Sequence, residues 1–300
     1  MIAQTFYELQ VECTGPTAEL EAIFEQVLDA NAISLERRED TKQLTKVVAL
    51  FDIEPSLEQV DFYLSRCLLA NIKSVQLQKL PPTDWVHENR KEFPAFKIGR
   101  FWVHGSHITH PAPTGLFPLC VDAAQAFGSG THATTKGCLL AIQNASRSKR
   151  HIRRILDLGC GSGILSMAAK SLNPSAAVMA ADYDKISVET TRQNWHINQY
   201  PKTAFFALHS DGFSHERLRG KHKFDLIVAN ILAKPLKQFA PLIAQNLASN
   251  GRVILSGLLT SQMRDIRAIY RHHHLFVMQH IQMDAWSTLL LAPKTNYTKR

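Results

Sequence analysis

Residues 154–163 read RILDLGCGSG: an apolar run that closes on Asp157 and Leu158 and then breaks at Gly159, Gly161 and Gly163 before ILSMAAKSL continues with helical character. Strand, glycine turn and helix in that order open a covered α/β sheet. Glycines at such a turn permit positive φ and let backbone approach a ligand at contact distance. The next apolar run, AAVMAAD, ends on Asp182, 19 residues after Gly163. A carboxylate there accepts both hydroxyls of a ribose, so loop and aspartate together predict a nucleoside-cofactor site. A tight turn without a ligand leaves Asp182 unexplained.

Spacing narrows the cofactor. Dinucleotide loops are spaced GxGxxG, which lets the helix N-terminus take a pyrophosphate. Here the spacing is GxGxG, which resembles the loop of class I methyltransferases, whose cofactor S-adenosyl-L-methionine carries no phosphate.

Working outward, helices and apolar strands alternate from Thr134 on. TTKGCLLAIQNA, ILSMAAKSL, KISVETTRQNWHIN, KPLKQFAPLIAQNLA and SQMRDIRAIYR read as helices. RRILDL, AAVMAAD, TAFFALHS, FDLIVANIL and RVILSGLL read as buried strands of a mostly parallel sheet, because their apolar runs are continuous rather than alternating. LFVMQHIQM and STLLLAP lie too close together for a crossover helix and predict an antiparallel pair at the sheet edge. Residues 1–80 differ. FYELQVEC alternates, and Leu20, Ile23, Phe24, Val27 and Leu28 share one helical face. ISLERR and KVVALFDI flank the polar break EDTK, a second helix runs from Ser56 with Leu57, Val60, Leu64, Cys67 and Leu68 inward, and SVQLQKL closes. The order βαββαβ is that of a ferredoxin-like α+β unit. The expected division is 1–80, a linker over 81–118, and 119–300 for the Rossmann-like α/β domain. The proline-rich linker carries aromatics beside basic residues and predicts one short strand at FKIGRFWV. Aromatic anchoring against a domain explains it better than single-stranded nucleic acid.

Whole-chain composition, with 34 Lys and Arg against 26 Asp and Glu, invites an acidic partner. Divided, it says something else: residues 1–80 hold 13 acidic and 7 basic residues, a balance of −6, and the other 220 carry +14. Five scattered cysteines with no CxxC pair argue against a disulfide framework or zinc site and for a reducing cytoplasm. No run of 18 apolar residues predicts a membrane span, and MIAQTFYELQVE lacks the basic and apolar regions of an export signal.

Three blocks carry a closer resemblance: DAAQAFGSGTHATT at 122–135, LDLGCGSGIL at 156–165, and VANILAKPL at 228–236 with LSGLL at 255–259. With the segment DWVHENRKEFPAFKIGRFWVHGSH and the small N-terminal domain, they make nearly the whole chain similar to the bacterial ribosomal protein methyltransferases of the PrmA type. That family modifies large-subunit ribosomal protein eleven. The resemblance implies S-adenosyl-L-methionine as cofactor, held by Thr135, Gly159, Gly161, Asp182 and Asn230, with Phe127 to Gly130 folded over it. It implies transfer to lysine side chains or an N-terminal α-amine of a basic ribosomal protein captured by the acidic domain. ANIL, in place of the proline-rich tetrad of enzymes that methylate adenine or glutamine amides, favours an sp3 amine. The first block departs from the family's usual form at Ala123, Ala124, Ser129 and Ala133, where proline, glycine, threonine and proline are common.

No general base stands out. His132 reads equally as a base or as a backbone partner within its turn. His272, His273 and His274 point in different directions from a helix end, so no metal site is predicted. Cys160 suits the loop by its size, and Asp211 reads equally as an adenine contact or a turn former before Gly212. The alternatives are a methyltransferase acting on lysines of another protein or on RNA, which the +14 portion would suit, and a non-catalytic cofactor-binding module associated with the ribosome. RNA is not the predicted substrate.

Overall fold

A computed structural model of the chain describes residues 7–17, 20, 23–24, 28, 30, 32–37, 44–51, 53–67, 70–80, 94–122, 132–147, 151–219 and 223–294. The chain divides into two units, Met1–Trp85 and Val86–Arg300.

In the first unit, β1 (Tyr7–Thr14), β2 (Ala32–Arg37), β3 (Leu44–Phe51), α1 (Leu57–Leu64) and β4 (Asn71–Lys79) follow one another. The sheet runs β2-β3-β1-β4 with every neighbour antiparallel, the order of the split βαβ unit. Period-2 alternation does what the sequence predicts. Leu9, Val11 and Cys13 are fully buried against Leu20, Phe24, Val60 and Leu64, while Glu8, Gln10 and Glu12 take the opposite face. Val27, Leu68 and the break at 38–43 lie outside the described residues. One inward assignment fails: Leu57 is 57% exposed. It is the first residue of α1, a turn before the earliest buried position, Val60, and helical phase alone does not bury an end. Cys67 lies beyond the helix, partly buried against the same core.

The second unit begins its described part with β5 (Phe96–Ile98), β6 (Phe101–His104) and β7 (Phe117–Cys120). FKIGRFWV therefore forms two strands rather than one. Gly99 turns the chain at φ 56°, and the Arg100 N–H donates to Gln143 Oε1 at 2.9 Å, so the run folds into an antiparallel hairpin. Strand β7 adds in parallel to β6. Phe101, Val103 and Leu119 are buried in the core of this unit, with Phe96 and Phe117 packed against it, which is the anchoring expected of the aromatics.

Next come α2 (Ala133–Ser146), β8 (Arg154–Leu158), α3 (Ile164–Leu172), β9 (Ala177–Asp182), α4 (Lys185–Ile197), β10 (Phe205–His209), β11 (Phe224–Asn230), α5 (Ala233–Asn246), β12 (Leu247–Leu259), α6 (Met263–His272), β13 (Leu275–Met283) and β14 (Trp286–Pro293). The seven strands lie in the order β10-β9-β8-β11-β12-β14-β13, parallel except that β14 runs against both its neighbours. The α/β fold with its antiparallel edge pair is the one the sequence predicts. Successive residues feed opposite cores: Ile155 and Val228 pack on one face with α2 and α3, Leu156 and Ile227 on the other with α5 and α6. Burial on both faces is why these strands read as unbroken apolar runs. Boundaries differ in detail. Thr203 and Ala204 form a 3-10 turn before β10, and β12 starts at Leu247, with a register shift before Arg252. The strand order reverses between β8 and β11, and ligands of open α/β sheets bind beyond the carboxyl ends of strands at such a reversal.

Candidate active site

The glycine loop leaves β8 at that reversal. Gly159 has φ 75°, and a Cβ there would stand 2.2 Å from Ile231 Cγ2, so only glycine lets the loop pass the end of β11. The Gly159 and Cys160 N–H groups donate to Ala181 O at 2.8 and 3.1 Å, and Gly163 N–H donates to Cys160 O at 2.8 Å. Thr191 Oγ1 donates to Gly161 O at 2.8 Å.

Asp182 ends β9 beside this loop and is 8% exposed. Its Oδ2 accepts the Gly161 N–H at 2.9 Å and its Oδ1 the Asp184 N–H at 3.0 Å. A carboxylate has about four lone-pair sites, so each oxygen retains capacity for one more donor. Asp184 in turn caps α4, accepting from the Ile186 and Ser187 N–H groups.

Asn230 ends β11, aligned with Ser256 of β12. Its Oδ1 is buried with no hydrogen-bond partner among the described residues, and so is Thr135 Oγ1 in the first turn of α2. Buried polar atoms are nearly always paired, so two at predicted site positions are a strong mark of a place built for a ligand. Ser256 explains how they come together. Its hydroxyl donates to Thr134 O at 3.3 Å and exchanges a 2.8 Å bond with Thr288 Oγ1, tying the start of α2 to the sheet beside Asn230. Gly257 belongs to the same block: its φ is 79°, and a Cβ would meet Ile231 O at 2.3 Å.

Sequence reasoning did not assign roles to Asp157 or Ser256, although LDLG and LSGLL contain them. Asp157 is fully buried; its Oδ2 accepts from Ser166 N–H and Oγ at 2.9 and 2.7 Å, and its Oδ1 has no partner among the described residues. Burial pushes its pKa up to about 7; the Ser166 hydrogen bonds oppose the shift and the charge of Asp182 adds to it. An aspartate at the end of an otherwise apolar strand was the available signal.

His132 is the N-cap of α2. Its Nδ1 accepts from Thr134 N–H at 3.3 Å and lies 2.7 Å from Thr134 Oγ1, its ring meets Trp286 edge-on, and burial lowers its pKa. It hydrogen-bonds within its own turn. His272 and His274 lie around the end of α6, and among the described residues no cluster can hold a metal. Cys160 is buried and its thiol pKa raised by that burial, so it fills space in the loop. Asp211 is exposed in the turn before Gly212, where its carbonyl accepts the Ser214 N–H. Residues 123–131, with Phe127 to Gly130, Ala123, Ala124 and Ser129, lie outside the described residues.

Three comparisons bear on this arrangement. The profile of the family "Ribosomal protein L11 methyltransferase (PrmA)" matches residues 4–294. The chain is 34% identical to the ribosomal protein L11 methyltransferase of Chelativorans sp. (strain BNC1) over 272 residues, 90% of this chain and 91% of the relative. It is 32% identical to that of Caulobacter sp. (strain K31) over 287 residues, 94% and 96% of the two chains. Among solved structures, the ribosomal protein L11 methylase of Lactobacillus delbrueckii subsp. bulgaricus superposes with a TM-score of 0.59 at 25% identity, covering 67% of this chain and 99% of that one. Reversed strand order, glycine loop and nearly full-length similarity converge: the chain belongs to the ribosomal protein L11 methyltransferase (PrmA) family.

Proposed function

We propose that the chain methylates amine nitrogens of a basic ribosomal protein of the large-subunit L11 type, with S-adenosyl-L-methionine as donor. The observation that carries the reading is a pair of buried atoms with no partner among the described residues, Thr135 Oγ1 and Asn230 Oδ1, the second on a strand that bounds the reversal and the first on the helix that Ser256 ties to the sheet beside it. These groups fit a zwitterionic nucleoside. Asp182 keeps lone pairs for two ribose hydroxyls, Asn230 Oδ1 is an acceptor for an ammonium, and Thr135 Oγ1 donates or accepts. Gly159 and Gly161 let the loop backbone approach the same ligand.

When bound, the donor supplies a methyl already activated on a sulfonium sulfur, so the protein's task is positioning and dehydration. The amine must arrive uncharged. Deprotonating a lysine at pH 7 costs about 4 to 5 kcal/mol and an α-amine about 1 kcal/mol. A dry site lowers either cost by disfavouring the ammonium, and the role assigned to Asn230, which ends a central strand, is to orient the amine through the second lone pair of its amide oxygen.

Residues 1–80 serve substrate capture, the segment 81–118 leads from them into the second unit, to which it contributes β5, β6 and the start of β7, and 119–300 bind the cofactor. The −6 balance of the N-terminal part supports this, as do Glu8 and Glu12 on the sheet face opposite the buried side chains of β1. Free thiols at all five cysteines suit a reducing, cytoplasmic setting; among the described residues no helix is long and apolar enough to cross a membrane. Incubation with radiolabelled S-adenosylmethionine and unmodified ribosomal proteins, followed by mass mapping, tests the reading. Label on amines of an L11-type protein is expected; label confined to RNA overturns it.

A further inference from the structure

Two asparagines one helical turn apart in the α4 region hold the last residue of β7 and the chain just beyond it. Asn198 Oδ1 accepts the Cys120 N–H at 2.9 Å, and its Nδ2 donates to Cys120 O at 2.7 Å. Asn194 repeats the pattern two positions along the strand: Oδ1 accepts the Asp122 N–H at 3.0 Å, and Nδ2 donates to Asp122 O at 3.2 Å. Four helical residues rise about 6 Å and two strand residues about 6.6 Å, so side-chain amides at i and i+4 match the repeat of an extended chain. The other edge of this segment is occupied by β6, where Val121 N–H donates to His104 O. The helix thus takes the place of a missing neighbouring strand.

The two asparagines differ in one respect. Asn194, which is 1% exposed, also donates from Nδ2 to Ser162 O at 2.8 Å, inside the glycine loop. The remaining side-chain partners of Asn198 lie elsewhere, at Met167 Sδ and Asn194 O. With Thr191 holding Gly161 O, consecutive carbonyls of the loop are tied to α4. Asn194 is therefore the junction between the glycine loop and Asp122, the point at which the chain continues into residues 123–131.

We propose that Asn194 is a positioning residue for methyl-donor binding: it sets the glycine loop against the segment ending at Asp122, so the loop backbone is already aligned when the cofactor arrives. The proposal rests on the cofactor reading above. Removing the amide breaks its bonds to the Ser162 carbonyl and to the backbone N–H and carbonyl of Asp122, so the loop must be ordered by the ligand to that extent, which weakens affinity.

Calorimetry with S-adenosylhomocysteine on the full chain tests it, alongside thermal unfolding and steady-state kinetics. Asn194→Ser is expected to weaken binding about tenfold and to raise KM for the donor while KM for the ribosomal protein stays unchanged. Asn198→Ser is expected to lower the unfolding temperature comparably yet bind within about twofold of the unsubstituted chain, because its amide bonds lie away from the loop. Should the serine variant not fold, Asn194→Asp supplies the comparison, since it keeps the acceptor for Asp122 N–H and loses the donor. Unchanged affinity in the Asn194 variant, or equal loss from Asn198→Ser, overturns the proposal. If the unsubstituted chain itself fails to bind, the cofactor reading falls and takes the proposal with it, an outcome the control separates from failure of Asn194 alone.

Discussion

Asp157 and Asp182 are two buried carboxylates on adjacent strands, and their surroundings assign them different work. Asp182 receives an N–H at each oxygen and keeps capacity for a diol. Asp182→Ala is expected to weaken S-adenosylhomocysteine binding tenfold or more in calorimetry, because hydrogen bonds to a charged acceptor are worth about 1.5–3 kcal/mol; unaltered affinity would remove the ribose assignment. Asp157 accepts from Ser166 at one oxygen, and the other has no partner among the described residues. With its pKa pushed up to about 7 from an ordinary 3.8, the folded protein holds this proton more tightly than the unfolded chain does. The sign follows: its contribution to stability is full below about pH 4 and is lost as pH rises to about 7, amounting to at most about 4 kcal/mol. Asp157→Asn is expected to flatten the decline in unfolding free energy between those pH values and to be the more stable form at pH 8, as read by urea denaturation. Spacing made Asp182 legible in the sequence. Asp157 was not, because its role depends on the burial around it.

At the scale of elements, α2 and the β12 block decide whether the unpartnered groups face one place. Ala133 opens α2 behind His132, whose φ and ψ of −65° and 143° are those allowed before proline. Proline, common at this position in the family, is pre-organised for the first helical residue, so Ala133→Pro is expected to stabilise the protein by about 0.4–1 kcal/mol in chemical denaturation. Gly257→Ala should do the reverse. It combines a left-handed backbone with a clash against the Ile231 carbonyl, and a loss of about 1–3 kcal/mol with weaker cofactor binding is expected from the displacement of the neighbouring Asn230. Periodicity placed most helices and strands because a buried face recurs with the helical or the strand repeat. It missed the hairpin at 96–104, where Gly99 and the Gln143 amide turn a run that reads as one strand.

At the scale of the molecule, the two units have their own hydrophobic cores, and the proposed division of tasks can be tested by separating them. A chain truncated to start at Pro81 is expected to bind S-adenosylhomocysteine with near-normal affinity and to lose most kcat/KM toward intact ribosomal protein; unchanged kinetics would refute the division of labour. By itself the sequence determined the strand, loop and helix order outside the 96–120 segment, the two unit types and the family, since these follow from local periodicity, glycine spacing and motif blocks. Only the tertiary structure decided which polar groups meet. Strand order brings Asn230 beside the glycine loop, Ser256 ties α2 to it, and Asn194 joins Asp122 to Ser162, two positions well separated in the chain. Those pairings depend on distance in space, and no spacing along the chain encodes it.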